Sequence, residues 1–328
     1  MHATSGAPVV VGVGEALLRL DAPVAERLER TRSLSVHVGG AELNALVLLR
    51  HLGCHARWVS RLPDNQLGRL VLSYARGEGV EPVVTWSARR QGLYFLEPGV
   101  PPRAPEILYD RANSAASELG LEHVPVDEIV SGADLFYSTG ITLGIGASPR
   151  QFVTSAYRRA RDLGVSTSLD INYRSKLWGR EDARAVISPL LDDVDVLFAS
   201  PFDLTDLLGA GSDPSTAATR IRDEHGCRSV VIPERRQHTD GSAEIGVRVI
   251  GDEEDFSGVV SVRPSESIGV GDAIAAGFLS GWLQGDTPLG ARRAAVAGAM
   301  KATIRGDALA ATQDELDREI DPSNRVIR

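Results

Sequence analysis

A mainly parallel β-sheet covered by helices on both faces, with a small antiparallel sheet beside it, is the fold that the sequence predicts. Short apolar runs alternate along the chain with longer amphipathic stretches, which is the pattern of strand–helix repeats. Two segments, at about residues 17–38 and 83–111, break this rhythm with half-polar, alternating runs typical of a second sheet. The 328 residues, 43% of them hydrophobic, suffice for one domain over residues 1–328 that carries both insertions.

The elements of the main fold can be justified in chain order. "PVVVGVGEAL" predicts a buried strand, and "AELNALVLLRHLG" predicts an amphipathic helix that ends at Gly53. "ARWVSRL" and "LGRLVLSYARGEG" repeat the strand–helix pair. After the second insertion the alternation continues through "DLFYSTG", "SPRQFVTSAYRRARDLG", "VSTSLDIN", "VDVLFAS", "PFDLTDLLG", "TAATRIRDEHG" and "SVVIPE".

Charge and cysteine content exclude several classes of function. The formal net charge of −9 argues against general binding to nucleic acid or to an anionic membrane, and it leaves room for a local basic pocket. Cys54 and Cys227 are far apart, which predicts no disulfide framework and fits a reducing compartment. The N-terminus shows no targeting signal, and the apolar stretch "AIAAGFLSGWL" is too short to span a bilayer. We therefore expect a cytoplasmic protein with no membrane or nucleic-acid partner.

The stretch "PSESIGVGDAIAAGF" carries the most specific chemistry. Gly269 and Gly271 allow the backbone to approach a ligand closely, and the residues from Ala273 onward have helical spacing. A helix N-terminus offers free N–H groups to an anion, and Asp272 lies beside them as a candidate general base. The alternative is an aspartate that only caps a helix. Phosphoryl transfer needs positioning and charge stabilisation, which this arrangement can supply.

Two motifs in this chain resemble the signatures of one enzyme family. "SIGVGDAIAAGF" is similar to the D-T-x-G-A-G-D-x-F-x-A-G signature of the ribokinase or PfkB carbohydrate kinases. "VGGAELNALVLLRHLG" resembles the same family's G-G-x-x-x-N-x-A-x-x-x-x-x-L-G signature, and the two occur in the family order. The resemblance covers nearly the whole chain. It implies a ribokinase-like three-layer α/β/α sandwich with a small β-sheet lid.

Further segments resemble the 2-keto-3-deoxygluconate kinases in particular. These segments are "LPDNQLGRLV", "GLYFLEPG", "ILYDRANSA", "SLDINYRSKLW" and "RGDALAAT". The resemblance implies that Asp272 is the catalytic base and that the backbone N–H groups of Gly269, Val270 and Gly271 form an anion hole. The residues that it assigns to the sugar are Gly39, Gly40, Asn44, Tyr94, Tyr109, Arg111, Arg174 and Asp307.

The chemistry of the assigned residues agrees with an acidic sugar. Arg111 and Arg174 can bind a carboxylate through charge-assisted hydrogen bonds, and tyrosines can pack on the carbon chain. Each assignment has a structural alternative. Asn44 could be a satisfied polar group of the core, Arg174 a surface residue, and Asp307 a turn residue after a glycine.

Some positions depart from the family pattern. Glu266 stands where the late signature has its first aspartate, a change that could alter a monovalent-cation or phosphate-side environment. Val270 replaces the signature's alanine, and Ile274 replaces the phenylalanine after the catalytic aspartate. The glycine turn and Asp272 are intact.

The nucleotide side departs further. Ser200 and Asp203 stand at the family's Asn-x-x-Glu motif, which is associated with magnesium and phosphate, so Asp203 is a candidate for an indirect metal contact through water. Pro233 and Glu234 replace a Thr-Leu-Gly or Thr-Leu-Arg run. The two arginines that follow could meet phosphates or be exposed loop charge. These changes put efficient catalysis in question.

The leading hypothesis is ATP-dependent phosphorylation of a sugar acid at a primary hydroxyl, most specifically 2-keto-3-deoxygluconate to its 6-phosphate. Mg²⁺ with ATP is the expected cofactor, a monovalent cation is a further candidate, and a homodimer through the lid is expected. The alternatives are a kinase for a neutral sugar such as fructose and a catalytically weak sugar-binding homologue. A dinucleotide site is excluded because Leu17 occupies the third glycine position of the required fingerprint.

Overall fold

The computed structural model describes residues 6–100 and 102–321. Its larger sheet has nine strands in the described ranges, in the order β13-β12-β11-β10-β9-β8-β1-β4-β5. These strands are β1 Val9–Val13, β4 His55–Pro63, β5 Glu81–Ser87, β8 Leu135–Thr139, β9 Ser166–Asp170, β10 Val196–Phe198, β11 Ser229–Gln237, β12 Ala243–Ile250 and β13 Glu254–Val262.

Seven of these strands are parallel, and β12 and β13 complete the sheet as antiparallel neighbours of β11. Central strands are buried on both faces, so they read as continuous apolar runs. In β1, for example, Val10, Val11 and Val13 have no exposed surface. The predicted mainly parallel α/β fold is confirmed.

Helices cover the two faces of this sheet. They are α1 Ala41–His51, α2 Gln66–Gly77, α3 Val126–Val130, α4 Gly140–Gly144, α5 Ala147–Asp162, α6 Arg180–Leu190, α7 Pro214–His225, α8 Val270–Trp282, α9 Thr287–Ala302 and α10 Gln313–Ile320. Short 3₁₀ turns at Ala115–Glu118 and Leu191–Asp193 and a π-helical turn at Asp203–Leu207 complete the described helical elements.

The core divides into two clusters, one on each side of the sheet. One cluster contains the buried faces of α1, α8 and α9, and the other contains those of α5, α6 and α7. Helices α8 and α9 approach closely because glycines face their partner, and a Cβ on Gly277 would lie 2.7 Å from the carbonyl oxygen of Arg293. Ile274 packs against Gly298 in the same contact. This packing fixes the position of the α8 N-terminus.

The smaller sheet has the order β3-β2-β6-β7, formed by β2 Leu17–Asp21, β3 Ser35–Gly39, β6 Leu93–Glu97 and β7 Glu106–Asp110. The expected second insertion, residues 83–111, begins too early. Residues 83–87 belong to β5, which pairs with β4 in the large sheet. Because β5 is an edge strand and is only partly covered, its sequence shows the same half-polar alternation as the strands of the second sheet.

Successive residues along the strands of the small sheet belong alternately to its two faces. Arg19, Tyr94 and Tyr109 are register neighbours in one row, and Leu20, Phe95 and Leu108 form the adjacent row. Since successive side chains point to opposite faces, the first row faces inward and the second faces outward. In the parts of the chain that the structure describes, no helix is long and apolar enough to cross a bilayer.

Candidate active site

A cavity of about 460 Å³ lies at the carboxyl ends of the parallel strands, between the large sheet and the small one. Four parallel strands of the large sheet supply lining residues: Glu15 after β1, Asp170 at the end of β9, Ser200 after β10 and Pro233 within β11. The chain leaves β1 toward β4 on one side and runs from β8 to β11 on the other. Such a reversal of strand order is the usual ligand site of an open α/β sheet.

The cavity brings together almost all the residues that the sequence singled out. The predicted residues in its lining are Gly39, Gly40, Asn44, Tyr94, Tyr109, Arg111, Arg174, Asp203, Gly269, Gly271, Asp272 and Asp307. Val270, the first residue of α8, does not line it, because its side chain is buried in the hydrophobic core. Only the backbone of Val270 is therefore available to the predicted anion hole.

The turn before α8 has the geometry of an anion site. Gly269 has φ of 79°, a left-handed conformation that glycine adopts without strain. A Cβ at Gly269 would collide with the carbonyl oxygen of Asp307, whereas a Cβ at Gly271 would meet nothing within 4 Å. The backbone is thus packed on one side and open to the cavity on the other. Helix α8 begins at Val270, so the N–H groups of its first turn are directed toward this end.

Asp272 lies in that first turn and is 7% exposed. The Nδ2 atom of Asn44 donates a 2.7 Å hydrogen bond to its Oδ2 atom. Burial raises the pKa of Asp272 to about 7, an effect that Asn44 and Arg174 oppose and that Glu42 and Asp307 reinforce. A carboxylate with a pKa close to neutrality is well matched to proton transfer.

Further carboxylates surround Asp272. Burial, together with the charges of Asp272 and Asp203, raises the pKa of Asp170 well above its ordinary value. Burial also raises the pKa of Asp203, whose Oδ2 atom accepts hydrogen bonds from the backbone N–H and hydroxyl of Ser200. Carboxyl groups whose pKa values are raised by burial and by one another's charge are typical of functional sites.

The small sheet closes the other end of the cavity. The Tyr94 hydroxyl donates a 2.5 Å hydrogen bond to Oδ2 of Asp307, and the rings of Tyr94 and Tyr109 lie 5.7 Å apart. Gly39 is necessary for this arrangement, because a Cβ there would collide with the Asp307 carboxylate. These groups present hydroxyl and carboxylate oxygens beside aromatic surface, a combination suited to a polyhydroxylated carbon chain.

The two predicted arginines differ in their surroundings. Arg111 donates a 2.9 Å hydrogen bond through Nε to the buried carboxylate of Glu15, so its charge is already balanced. Arg174 is exposed, and among the described residues no hydrogen bond engages its guanidinium group. Its charge lowers the pKa values of Asp170 and Asp272. Arg174 is therefore the better placed of the two to receive an added carboxylate.

Sequence reasoning missed four charged residues around this cavity, of which Glu15, Glu42 and Arg19 are buried. Glu15 holds Arg111, and Asp170 lines the cavity at the end of β9. Glu42 accepts hydrogen bonds from Thr139 and Thr142, and burial raises its pKa. Arg19 is 1% exposed and joins three carboxylates. Glu15 follows the apolar strand β1, and Asp170 is the last residue of β9; these places at strand ends are the signal that could have found them.

The nucleotide-side departures lie at one end of the same cavity. Ser200 and Asp203 are hydrogen-bonded to each other at the start of the π-helical turn, and Pro233 contributes to the lining. Arg235 and Glu234 lie beyond Pro233 along β11, in the wall of an adjacent depression. Arg235 is exposed, so its guanidinium group is accessible to a ligand that extends out of the cavity.

No cluster of three or more His, Cys, Asp and Glu side chains suited to a metal is found within residues 6–100 and 102–321. Mg²⁺ commonly binds through one or two carboxylates, waters and substrate phosphates rather than an all-protein cage. Asp203 and Asp170, both in the cavity lining, meet that smaller requirement.

Comparison with known proteins identifies the family. The model of pfkB family carbohydrate kinases matches residues 8–313. The chain belongs to this family. It is 36% identical over 312 residues to the 2-dehydro-3-deoxygalactonokinase of Haloferax volcanii, with 94% of this chain and 95% of the relative covered. The resemblance to a carbohydrate kinase, and the conclusion that the protein is a phosphotransferase, are confirmed.

Solved structures agree with the fold. The crystal structure of the 2-dehydro-3-deoxygluconokinase of Thermotoga maritima matches with a TM-score of 0.91 and 32% identity, covering 96% of this chain and 98% of the other. A structure from Escherichia coli, assigned to ribokinase II and holding ATP and Mg²⁺, matches with a TM-score of 0.82, 96% coverage of this chain and 99% of the other. At 19% identity, that second likeness shows the fold alone.

Proposed function

We propose that this carbohydrate kinase transfers the γ-phosphoryl group of ATP to the primary hydroxyl of a 2-keto-3-deoxy sugar acid, with 2-keto-3-deoxygluconate as the substrate and its 6-phosphate as the product. The observation that carries the proposal is Asp272. It is a buried carboxylate with a pKa of about 7, held by Asn44 at the N-terminus of α8 inside the cavity.

Asp272 acts as general base in this mechanism. The sugar hydroxyl gives its proton to Oδ of Asp272 as its oxygen forms a bond to the γ-phosphorus, and the bond from that phosphorus to the bridging oxygen of ADP breaks. Charge on the transferring oxygens is stabilised by the N–H groups at the start of α8, contributed by Gly269, Val270 and Gly271. Gly39, Gly40 and Asn44 hold the sugar beside the base.

Mg²⁺ bound to ATP neutralises phosphate charge when present. Asp203, through water, and Asp170 are the residues that would hold it, since both line the cavity and both have pKa values that a nearby cation would lower. Glu266 is not assigned to a monovalent cation, because its carboxylate already binds Arg19.

We assign the binding of the substrate's carboxylate to Arg174. Its guanidinium has no hydrogen bond to the described residues. Arg111, by contrast, is held by Glu15 and lies over the Tyr109 ring, so we assign it to contacts with the sugar hydroxyls. Tyr94 and Asp307 complete the sugar side as a bonded pair. The structure from Thermotoga maritima supports the gluconate assignment. The C4 epimer, 2-keto-3-deoxygalactonate, is the second candidate because of the relative in Haloferax volcanii.

The small sheet is proposed to act as a lid and as a dimer interface. Its outward row joins Val36, Leu20, Phe95 and Leu108 in register, without a charged residue, and Val36 and Leu108 are 51% and 58% exposed. An apolar stripe of this kind across an exposed sheet is typical of an interface. We further infer a reducing, cytoplasmic location, which the two free, buried cysteines support.

A substrate panel tests the function. Purified protein with MgATP is offered 2-keto-3-deoxygluconate, 2-keto-3-deoxygalactonate, gluconate and fructose, and ADP and the phosphorylated product are measured. We expect turnover of the two keto-deoxy acids and little with fructose. Phosphorylation of fructose alone would refute the acid assignment. Calorimetric binding of the sugar acid without binding or turnover of MgATP would support a sugar-binding homologue instead.

A further inference from the structure

A second cluster of charges lies behind the cavity wall, between the small sheet and the turn before α8. Its cations are Arg19 and Lys301, which are 1% and 0% exposed, and neither residue belongs to the cavity lining. Its carboxylates are Asp21, Glu266 and Asp307. Fully buried cations are costly unless paired, so their presence here needs a reason.

Arg19 joins the inner row of the small sheet to two distant segments. Its Nε and Nη2 atoms donate to Asp21 at 2.5 and 2.7 Å, which fixes the plane of the guanidinium group. The Nη1 atom then donates to the carboxylate of Glu266 and, at 3.1 Å, to Oδ1 of Asp307. The fork geometry of arginine thereby connects β2 with both sides of the turn before α8.

Lys301 holds the same turn from the end of α9. Its Nζ atom donates a 3.0 Å hydrogen bond to the carbonyl oxygen of Ile304. A Cβ at Gly269 would lie 3.1 Å from Cε of Lys301, so the lysine stem packs directly behind the left-handed glycine. The carbonyl of Ala302 accepts hydrogen bonds from the N–H groups of Ser265 and Glu266 at 2.8 and 3.1 Å. The C-terminus of α9 therefore fixes the backbone that leads into the anion site.

This arrangement does not fit a dissociable monovalent cation at Glu266. Such an ion needs carboxylate and carbonyl oxygens that are free to coordinate it. Here the Glu266 carboxylate is bound by Arg19, and the carbonyl of Ile304 is bound by Lys301. Burial lowers the pKa of Lys301, while the Glu266 and Asp307 carboxylates oppose that change.

We propose that Arg19 and Lys301 are built-in cations that hold the turn before α8 in its anion-binding shape, so that the kinase needs no K⁺ or Na⁺ at this position. Both are positioning residues, since they act through Glu266, Asp307 and Gly269 rather than by touching substrate. The inference rests on the proposed kinase reaction only for its turnover measurements. The unfolding measurement below needs no sugar.

The wild-type protein provides the first test. After dialysis into tetramethylammonium chloride, kcat and the thermal unfolding midpoint are measured as KCl or NaCl replaces that salt at constant ionic strength. We expect both quantities to stay constant. A saturable rise of kcat or of the midpoint with K⁺ or Na⁺ would overturn the proposal. If no sugar acid is turned over, the substrate assignment fails while the unfolding result still decides the ion question.

Variants provide the second test. Lys301→Met is expected to lower kcat about tenfold with a small change in the sugar-acid KM, because it disturbs the turn before α8 and not the sugar contacts. Arg19→Met should lower kcat to a similar extent and also raise the sugar-acid KM, because Arg19 donates a hydrogen bond to Asp307 on the sugar side. Arg19→Lys, which keeps the charge, should recover part of that loss. Arg220→Met is the matched control, since Arg220 is exposed and, among the residues that the structure describes, forms an ion pair with Glu224 alone. Full kcat in both methionine variants would refute the roles given to these cations. If they fail to fold, the wild-type ion titration remains decisive.

Discussion

The side-chain amide of Asn44 donates a 2.7 Å hydrogen bond to the carboxylate of Asp272, 228 residues later in the chain. Asn44 lies in α1 and Asp272 in the first turn of α8, so the contact joins the two signature motifs at one point of the cavity. It stabilises the ionised carboxylate that burial otherwise disfavours. The asparagine therefore tunes the proposed base as well as lying beside the sugar site.

The first prediction concerns pH. A base must be deprotonated, so kcat/KM should rise with pH and level off above the pKa of Asp272, which is about 7. Asn44→Ala removes a hydrogen bond that lowers this pKa, and the acid limb should move to higher pH by about one unit. Asn65→Ala, which removes the cap of α2, should leave the limb in place. An unshifted limb in Asn44→Ala would contradict the tuning role.

The second prediction concerns recognition of the acid. Arg174→Gln should raise the KM for the sugar acid about 10- to 100-fold, the equivalent of one charged hydrogen bond. The assay is run at alkaline pH, where Asp272 stays ionised even though the loss of Arg174 raises its pKa. Arg159→Gln, at an exposed pair with Asp127, serves as the control. Equal KM values in wild type and Arg174→Gln would show that Arg174 does not bind the carboxylate of the sugar acid.

The third prediction concerns the close approach of Gly39 and Asp307. Gly39→Ala places a Cβ against the Asp307 carboxylate, which must move and take Tyr94 with it. We expect a higher sugar-acid KM and a loss of about 1–3 kcal/mol in the free energy of unfolding. Gly77→Ala is the matched control, because no atom of the described residues outside its own turn of helix lies within 4 Å of the new Cβ. Equal KM values and equal free energies of unfolding in the two variants would show that the Asp307 carboxylate does not need the space beside Gly39.

The fourth prediction concerns the outer row of the small sheet. Leu108→Glu introduces a charge at the most exposed residue of the outer row and should convert a homodimer into a monomer, measured by light scattering after gel filtration. Leu163→Glu alters an exposed leucine at the end of α5 and should leave the dimer intact. A wild-type protein that is monomeric at high concentration would contradict the interface.

Much of the fold and site could be predicted from local patterns. Gly269, Gly271 and Asp272 form a short motif whose geometry is set by neighbours in the sequence, so the sequence alone predicts the turn. The alternation of apolar runs identified the parallel sheet for the same reason. The start of the second insertion was misplaced because an edge strand such as β5 and a strand of a small sheet have the same half-polar pattern.

The remaining features depend on pairings across long stretches of chain. Arg19 meets Glu266 across 247 residues, and Arg111 meets Glu15 across 96. In the sequence Arg19 is one charged residue in a half-polar strand, which is typical of a solvated face. Its burial follows only from the packing of the small sheet onto the turn before α8. The sequence similarly indicated Arg111 without showing that a buried glutamate balances its charge.

The most direct test of the account is the turnover number of Asp272→Asn with 2-keto-3-deoxygluconate and MgATP, measured beside calorimetric binding of the sugar acid to the same variant. Asparagine keeps the size of the side chain and its contact with Asn44 but cannot accept the proton. We predict a decrease in kcat of about a hundredfold to ten-thousandfold, the usual contribution of a general base, with sugar-acid binding retained. Turnover equal to that of the wild type would contradict the assignment of Asp272 as the base.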